Sequence, residues 1–411
     1  MRDSGAMQQS PDHDLGPEPN VQNLMSPIGQ ELIAQFFPYE ASMAMARSQK
    51  ARRNHPAELV AQAMTQAKLR TRAVQRLGPI AEKLMFTAEG LEQATRPDVA
   101  ALRARHFADH GATRIADIGC GLGFDSIAFA QAGLQVIAIE ADPITAEYAK
   151  VNAQVLELDH LITIMVMDAH EFVPADFDCD AVFVDPARRS AGKRIKDPSK
   201  WSPSWSTALA LAQATPMGCL KVAPGIDHEL PPAGSTTQWV SHSSDLVEAC
   251  VWLGTAATAA IARQATILPA GITLSSANLQ PVAARAISTY LLEPDDAVIR
   301  SGLVGIVADQ THAGLIDPAI AYLTTDQRPP ASALYAAFEV LEAMPFSLKG
   351  LRQRVRELGI GQLEIKKRGS AVDPEKLRTD LKLEKSNKAA GVIVLTRIGL
   401  DPIAIIAKRL A

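Results

Sequence analysis

The chain has 411 residues, too long for one ordinary hydrophobic core, so two or three folding units are expected. Hydrophobic residues make up 47%, charged residues 21% and aromatics 5%, the balance of a globular protein whose core rests on Ala, Val, Ile and Leu. The formal net charge of −4 neither implies nor excludes a nucleic-acid partner, because the charge is unevenly spread along the chain.

The first twenty residues, MRDSGAMQQSPDHDLGPEPN, are polar and lack the apolar core of a signal peptide. Residues 1–22 are expected to be disordered. Ser26-Pro27 reads as an N-cap followed by proline at the first helical position. The pattern then stays helical to about residue 112, with Thr95 expected to cap the last helix and Pro97 in its first turn. In this segment Arg47, Lys50, Arg52, Arg53, Lys68, Arg70, Arg72 and Arg76 outnumber the acids, which suits a solvated helical face and phosphate contact equally well.

From residue 113 the rhythm changes. Short apolar runs, RIADIGC, QVIAIEA, LITIMVMD, DAVFVDP and CLKVAPG, alternate with stretches of helical period, as in a parallel sheet buried on both faces. VEACVWLG and RQATILPAG look like a terminal antiparallel pair. Residues 113–284 are therefore expected to form an α/β, Rossmann-like domain with a doubly wound, mostly parallel sheet. A small separate α/β domain is expected over 285–411, with GVIVLTRIG as its last strand. Between residues 341 and 411 basic residues exceed acidic ones by seven, which suggests a positive surface.

The four cysteines, Cys120, Cys179, Cys219 and Cys250, lie far apart with no C-x-x-C pair, so neither a metal site nor a disulfide framework is expected. No run of about 18 apolar residues occurs, and a cytoplasmic protein without membrane contact is the expectation.

The segment RIADIGCGLGFDSIAFA carries the most information. Gly119, Gly121 and Gly123 allow a tight turn from a strand into a helix starting near Phe124 or Asp125, with no Cβ to keep a ligand away from the backbone. The dinucleotide fingerprint wants a third glycine where Phe124 stands. Here glycines instead recur at every second residue, and Asp117 precedes them. A carboxylate there suits a ligand with an ammonium group, such as the methionine moiety of S-adenosylmethionine, and would repel a pyrophosphate. Glu140, ending the second strand, can accept from both ribose hydroxyls, and Asp168, ending the third, from the adenine amino group. Asp185-Pro186 ends the fourth strand, facing the donor methyl.

On these residues the chain resembles class I S-adenosylmethionine-dependent methyltransferases. More narrowly, it resembles the bacterial subgroup that ends in a THUMP-like domain. LMFTAEGLEQATRPDVA, ADIGCGLGFDSIAFA, VFVDPARR, LKVAPGIDH, YLLEPDDAVIRSGLV and EIKKRG carry that match, which covers about residues 25–411. QATRPDVA is also loosely similar to RNA-cap guanine methyltransferases. The resemblance implies that Asp117, Gly119, Gly121, Gly123, Glu140 and Asp168 contact the cofactor and that Asp185 borders the substrate. THUMP domains bind RNA, so it also implies a structured RNA partner.

Enzymes that methylate base amines often carry Asn/Asp-Pro-Pro-aromatic after this strand. Asp185-Pro186-Ala187-Arg188 lacks the second proline and the aromatic, which sets adenine N6 in doubt. Trp201 or Trp205 could stack a base or anchor the loop. Cys219 lies inside an expected buried strand, against a uracil C5 mechanism. Arg188, Arg189, Lys193, Arg194, Lys196 and Lys200 face a single acid, Asp197, and could grip phosphates beside the active site.

An RNA base methyltransferase with Asp185 and Pro186 as catalytic residues is thus expected, acting on an amino nitrogen. Arg188, Arg189, Lys193, Arg194 and Trp201 are its expected substrate contacts. The alternatives are a methyltransferase for a phosphorylated small metabolite and a non-catalytic S-adenosylmethionine-binding RNA adaptor.

Overall fold

A computed structural model describes residues 21–187, 189–190, 193–195, 197–258, 260–279, 281–384 and 387–410, with residues 189, 190, 193 and 194 described in their backbone alone. Of the expected disordered tail, residues 1–20 lie outside this description. Helix already begins at Val21. The chain divides into two compact units, residues 1–220 and 221–411.

The first unit opens with helices α1 (Val21–Met25), α2 (Pro27–Phe36), α3 (Ala41–Ala51), α4 (Ala57–Leu77), α5 (Ala88–Gln93) and α6 (Pro97–Asp109). Ser26 caps α2 as expected, its hydroxyl accepting from Gly29 N at 3.1 Å, with Pro27 in the first turn. Arg96, and not Thr95, holds the N-cap position of α6, and its side chain makes no capping hydrogen bond. The helices bury Leu32, Ile33, Val60, Ala67, Leu77 and Phe86 in one core with Leu122, Tyr148 and Val151 of the following α/β part. Gln66 and Asn152 pair with the backbone of Phe86 and Met85, which satisfies amide groups that would otherwise be stranded in that core.

Five parallel strands follow: β1 (Arg114–Ile118), β2 (Gln135–Glu140), β3 (Ile162–Val166), β4 (Ala181–Val184) and, reaching the unit boundary, β7 (Met217–Val222). Between β4 and β7 lies a short antiparallel pair, β5 (Arg189–Ser190) and β6 (Lys193–Arg194). The parallel order is β7-β4-β1-β2-β3, with α7 (Phe124–Gln131), α8 (Pro143–Val155) and α9 (Trp205–Gln213) as crossovers. The order reverses at β1, and the crevice at the carboxyl ends of β1 and β4 is where such sheets bind ligands.

The second unit holds β8 (Thr236–His242), β9 (Asp245–Gly254), β10 (Arg263–Leu268) and β11 (Ile272–Ser276), ordered β11-β10-β8-β9. The expected pairing of VEACVWLG with RQATILPAG is corrected here. β9 pairs antiparallel with β8, while β10 runs parallel to β8 and antiparallel to β11. TTQWVSH does not read as a strand because of its polar residues. Gln238 sits buried between Thr266, to which it donates at 2.8 Å, and Trp252, from which it accepts at 3.0 Å.

A seven-stranded sheet follows, built from β12 (Tyr290–Pro294), β13 (Gly314–Asp317), β14 (Ile320–Thr325), β15 (Tyr335–Pro345), β16 (Ile360–Lys367), β17 (Ala389–Ile398) and β18 (Asp401–Arg409). Its order is β13-β14-β12-β15-β18-β17-β16, and only β16/β17 is parallel among the pairings. Helices α10 (Asp296–Ser301) and α11 (Val304–Thr311) follow β12, while α12 (Leu348–Glu357) and α13 (Pro374–Leu381) flank β16. The last two bury Leu351, Val355, Leu377 and Leu381 against Ile393, Leu395 and Ile406. GVIVLTRIG is not the final strand: the chain turns at Gly399, at φ +58°, and returns as β18. No helix among the described residues is long and apolar enough to cross a membrane.

Candidate cofactor site

β1 delivers Asp117 and Ile118, and the chain then turns through Gly119, Gly121 and Gly123 at φ +78°, +56° and +85°. These values belong to the left-handed region, where a side chain is strained. Gly119 has a second constraint: a Cβ there would lie 2.8 Å from the carbonyl oxygen of Asp185. The loop is tied to β2 by Gly119 N and Cys120 N, which donate to Ile139 O at 2.9 and 3.0 Å. Helix α7 begins at Phe124, as the glycine spacing predicts.

Asp117 is fully buried. Ser126 Oγ donates to its Oδ2 at 2.5 Å, whereas Oδ1 has no hydrogen-bond partner among the described residues. Burial first, and then the charge of Asp125, push this carboxyl up to about 8. An unsatisfied buried acceptor beside a loop stripped of side chains is what a cationic ligand group would complete. The residues fit S-adenosylmethionine. Asp117 would hold the ammonium, and the glycine loop would let the ligand lie against the backbone.

At the end of β2, Glu140 accepts from Gly121 N through Oε2 at 2.9 Å and from Asp142 N through Oε1 at 3.0 Å. It therefore braces both the glycine loop and the start of α8, and each oxygen keeps a lone-pair direction for a ribose hydroxyl. β3 ends at Val166, so Asp168 lies two residues beyond the strand. It is exposed; the backbone N–H of His170 and then its ring, 2.7 Å away, hold the carboxyl below the usual range.

Asp185 follows β4 directly, and its backbone N donates to Ile118 O at 3.0 Å, which fixes it beside the glycine loop. Pro186 is buried. Ala187 and Ser202 exchange two backbone hydrogen bonds, of 2.7 and 3.1 Å, so the intervening excursion begins and ends beside Asp185. Of the expected substrate contacts, Arg188 lies outside the described residues, as do the side chains of Arg189, Lys193 and Arg194; Lys196 is also outside. Trp201 is 7% exposed and donates through Nε1 to Ile195 O at 3.2 Å. Of the two roles left open for it, its burial favours the loop anchor over a substrate contact, with its ring edge-to-face against Trp205. Trp205 is half-buried.

Other expected phosphate contacts have hydrogen-bond partners within the protein. Arg70 donates to Leu84 O and Lys83 O, and Arg76 to Leu91 O, Glu92 O and Ala94 O. In the second unit, within the stretch 341–411 expected to form a positive surface, Lys366 pairs with Glu293 at 2.5 Å and Arg368 with Asp296 at 3.1 Å. Lys50, Arg52 and Arg53 stay exposed.

Arg103, Asp125, Thr95 and Ser126 were not expected at the site. Arg103 Nη2 lies 2.5 Å from Asp125 Oδ1, and Thr95 Oγ1 donates to Asp125 Oδ2 at 2.8 Å. The only sequence signal was an acid at the second position of α7, ordinarily read as dipole complementation at a helix start.

A five-stranded parallel sheet with a glycine turn after β1, a carboxylate at the end of β2 and another two residues beyond β3 defines a Rossmann-like nucleoside-ligand site. Comparison with known proteins carries this further. The chain is 32% identical over 339 residues to an uncharacterised S-adenosylmethionine-dependent methyltransferase of Mycobacterium tuberculosis, in strains CDC 1551 / Oshkosh and H37Rv, covering 80% of this chain and 91% of the relative. It belongs to that family: it is an S-adenosylmethionine-dependent methyltransferase.

Residues 112–192 match the RNA cap guanine-N2 methyltransferase family, residues 335–409 the THUMP domain-like family, and residues 19–73 a domain of unknown function. A crystal structure described as a methyltransferase from Porphyromonas gingivalis W83 shares the fold, with a TM-score of 0.74 at 21% identity over 93% of this chain and 99% of that one. The expected family, fold class and cofactor are thereby borne out, including the THUMP-like C-terminal region.

Proposed function

We propose that this enzyme methylates a base of a structured RNA, at an amino nitrogen, in the cytoplasm. One observation carries the proposal: a region matching an RNA cap guanine-N2 methyltransferase family and a THUMP domain-like region occur in one chain. We further propose that it works in three parts, with residues 23–112 and 285–411 flanking a catalytic domain over 113–284.

The bound cofactor supplies a sulfonium methyl group, and transfer is an in-line displacement that depends on alignment. In this proposal Asp117 and Glu140 hold the donor's ammonium and ribose, Asp168 accepts from its adenine amino group, and Asp185 borders the acceptor. The Asp185 carboxylate would accept a hydrogen bond from the acceptor amine, aim its lone pair, and take the proton released as the N–C bond forms. Pro186 locks its own φ and restricts the backbone of Asp185 before it. In this proposal Trp205 would stack the base, and Arg188, Arg189, Lys193 and Arg194 would grip flanking phosphates.

The test is mass spectrometry of nucleosides from cells with and without the gene, joined to methyl-transfer assays on total RNA. Loss of one methylated nucleoside, restored in vitro by the enzyme, is expected. Cation-mediated RNA binding should fall with salt with a log–log slope of about 0.7–0.9 per neutralised phosphate. Arg188→Ala with Arg189→Ala should reduce that slope by about one or two units. The ion pairs at Lys366 and Arg368 favour a second reading, a phosphorylated small metabolite as acceptor. Salt-insensitive RNA association together with an unchanged nucleoside profile would select it.

A further inference from the structure

Beneath the cofactor loop lies a cluster of charges that the ligand contacts do not use. Arg103 is 1% exposed and Asp125 6% exposed, almost as buried as Asp117 itself. Arg103 comes from α6, outside the α/β part of the unit. Its Nη2 and Nε lie 2.5 and 3.2 Å from Asp125 Oδ1, and its guanidinium sits 4.5 Å over the ring of Phe183, on the strand that leads to Asp185. Thr95, from the turn before α6, donates to the other Asp125 oxygen. Asp125 is followed in the chain by Ser126, whose hydroxyl is committed to Asp117.

The charged and titratable groups facing Asp117 are therefore Asp125 from α7, Asp185 after β4, Arg103 from α6 and the Cys120 thiol in the loop. Arg103 and Asp125 neutralise one another. Of the two neighbouring carboxylates on β1 and α7, Asp125 thus has a guanidinium against it, while Asp117 keeps an oxygen without a hydrogen-bond partner among the described residues for a ligand's ammonium.

We propose that Arg103 is a positioning residue of the cofactor site: it holds Asp125 neutralised toward α6 and leaves Asp117 to answer the ligand's ammonium. The N-terminal helices are then a working part of cofactor binding. This rests on the assignment of Asp117 to the ammonium.

The charge balance makes the proposal testable in two directions. Without the guanidinium, two buried carboxylates face each other and one retains a proton, so Asp117 ionises only at higher pH. Without the Asp125 charge but with Arg103 present, Asp117 ionises at lower pH. Below its ionisation point, affinity for a cationic ligand falls about tenfold per pH unit.

Calorimetric titration of the full-length protein with S-adenosylmethionine between pH 5.5 and 9 reads this directly. The ligand's own amine titrates identically in every experiment, so differences between variants report Asp117. In Arg103→Met the midpoint of the affinity rise should move up by about one pH unit or more, and in Asp125→Asn it should move down. Arg103→Lys, and Arg103→Met combined with Asp125→Asn, should return it toward wild type.

Thermal unfolding of the ligand-free variants checks folding. Asp125→Asn keeps an acceptor for Thr95 and Arg103 and carries the test if Arg103→Met does not fold. A midpoint that stays in place or rises in Asp125→Asn overturns the proposal. Asp117→Asn should flatten the profile; wild-type affinity and profile in that variant would instead overturn the ammonium assignment.

Discussion

Glu140→Gln changes one atom type in the cofactor site, and its effect can be worked from the geometry. The carboxylate accepts from Gly121 N at 2.9 Å and Asp142 N at 3.0 Å, leaving one lone-pair direction on each oxygen for a ribose hydroxyl. Glutamine keeps one acceptor oxygen and turns an NH2 group toward one of those backbone donors. One hydroxyl loses its charged acceptor, and the loop or α8 loses an anchor. A hydrogen bond to a charged group contributes about 1.5–3 kcal/mol, so affinity should fall about tenfold to a hundredfold. Calorimetry with S-adenosylhomocysteine and its 2′-deoxy analogue would measure it. Wild type should lose affinity for the deoxy analogue, and Glu140→Gln should lose much less, since the two changes remove the same interaction. Fully additive losses, or wild-type affinity in the variant, would refute the ribose assignment.

Asp185→Ala should lower turnover about 100- to 10,000-fold while leaving cofactor affinity nearly intact, because the carboxylate is placed at the acceptor; single-turnover rates set against calorimetry would separate the two, and normal turnover would reduce Asp185 to a strand-end residue. Gly119→Ala should lose cofactor binding, since its Cβ would meet the Asp185 carbonyl at 2.8 Å in a left-handed backbone; equilibrium dialysis would detect it. The raised Asp117 carboxyl predicts a pH effect on the ligand-free enzyme. Its folded-state value of about 8 lies above the unfolded one, so its stabilising contribution is complete below about pH 4 and lost as pH rises toward 8. Thermal midpoints should therefore fall more between pH 5.5 and 8.5 in wild type than in Asp117→Asn. Arg70→Met strands the carbonyls of Leu84 and Lys83 and should destabilise by about 1–3 kcal/mol in urea unfolding without changing the salt dependence of RNA association.

Much of the site could be read from the chain before folding, because its signals are local. A glycine turn announces itself by residue type: positive φ and a missing Cβ are demands on single positions, met at Gly119, Gly121 and Gly123. Strand-end carboxylates follow from the βα rhythm, so Glu140 and Asp185 fall where expected, and Asp168 lies just beyond its strand. Ser26-Pro27 is equally local.

Charge destination is not local. Arg70, Arg76 and cations of the 341–411 stretch such as Lys366 and Arg368 read as unpartnered charges because sequence shows a charge but not its partner, and only packing brings a carbonyl or carboxylate to it. β8 escaped notice for the same reason, since a buried Gln or Thr is tolerated only once Thr266 and Trp252 arrive to bond it. The pairing of Arg103 with Asp125 spans 22 residues and two elements; alone, each reads as an ordinary helical charge. The sequence by itself determined the chemistry of the loop and the class of ligand. Tertiary structure decided which charges remain for that ligand, because a buried charge persists only where another element compensates it.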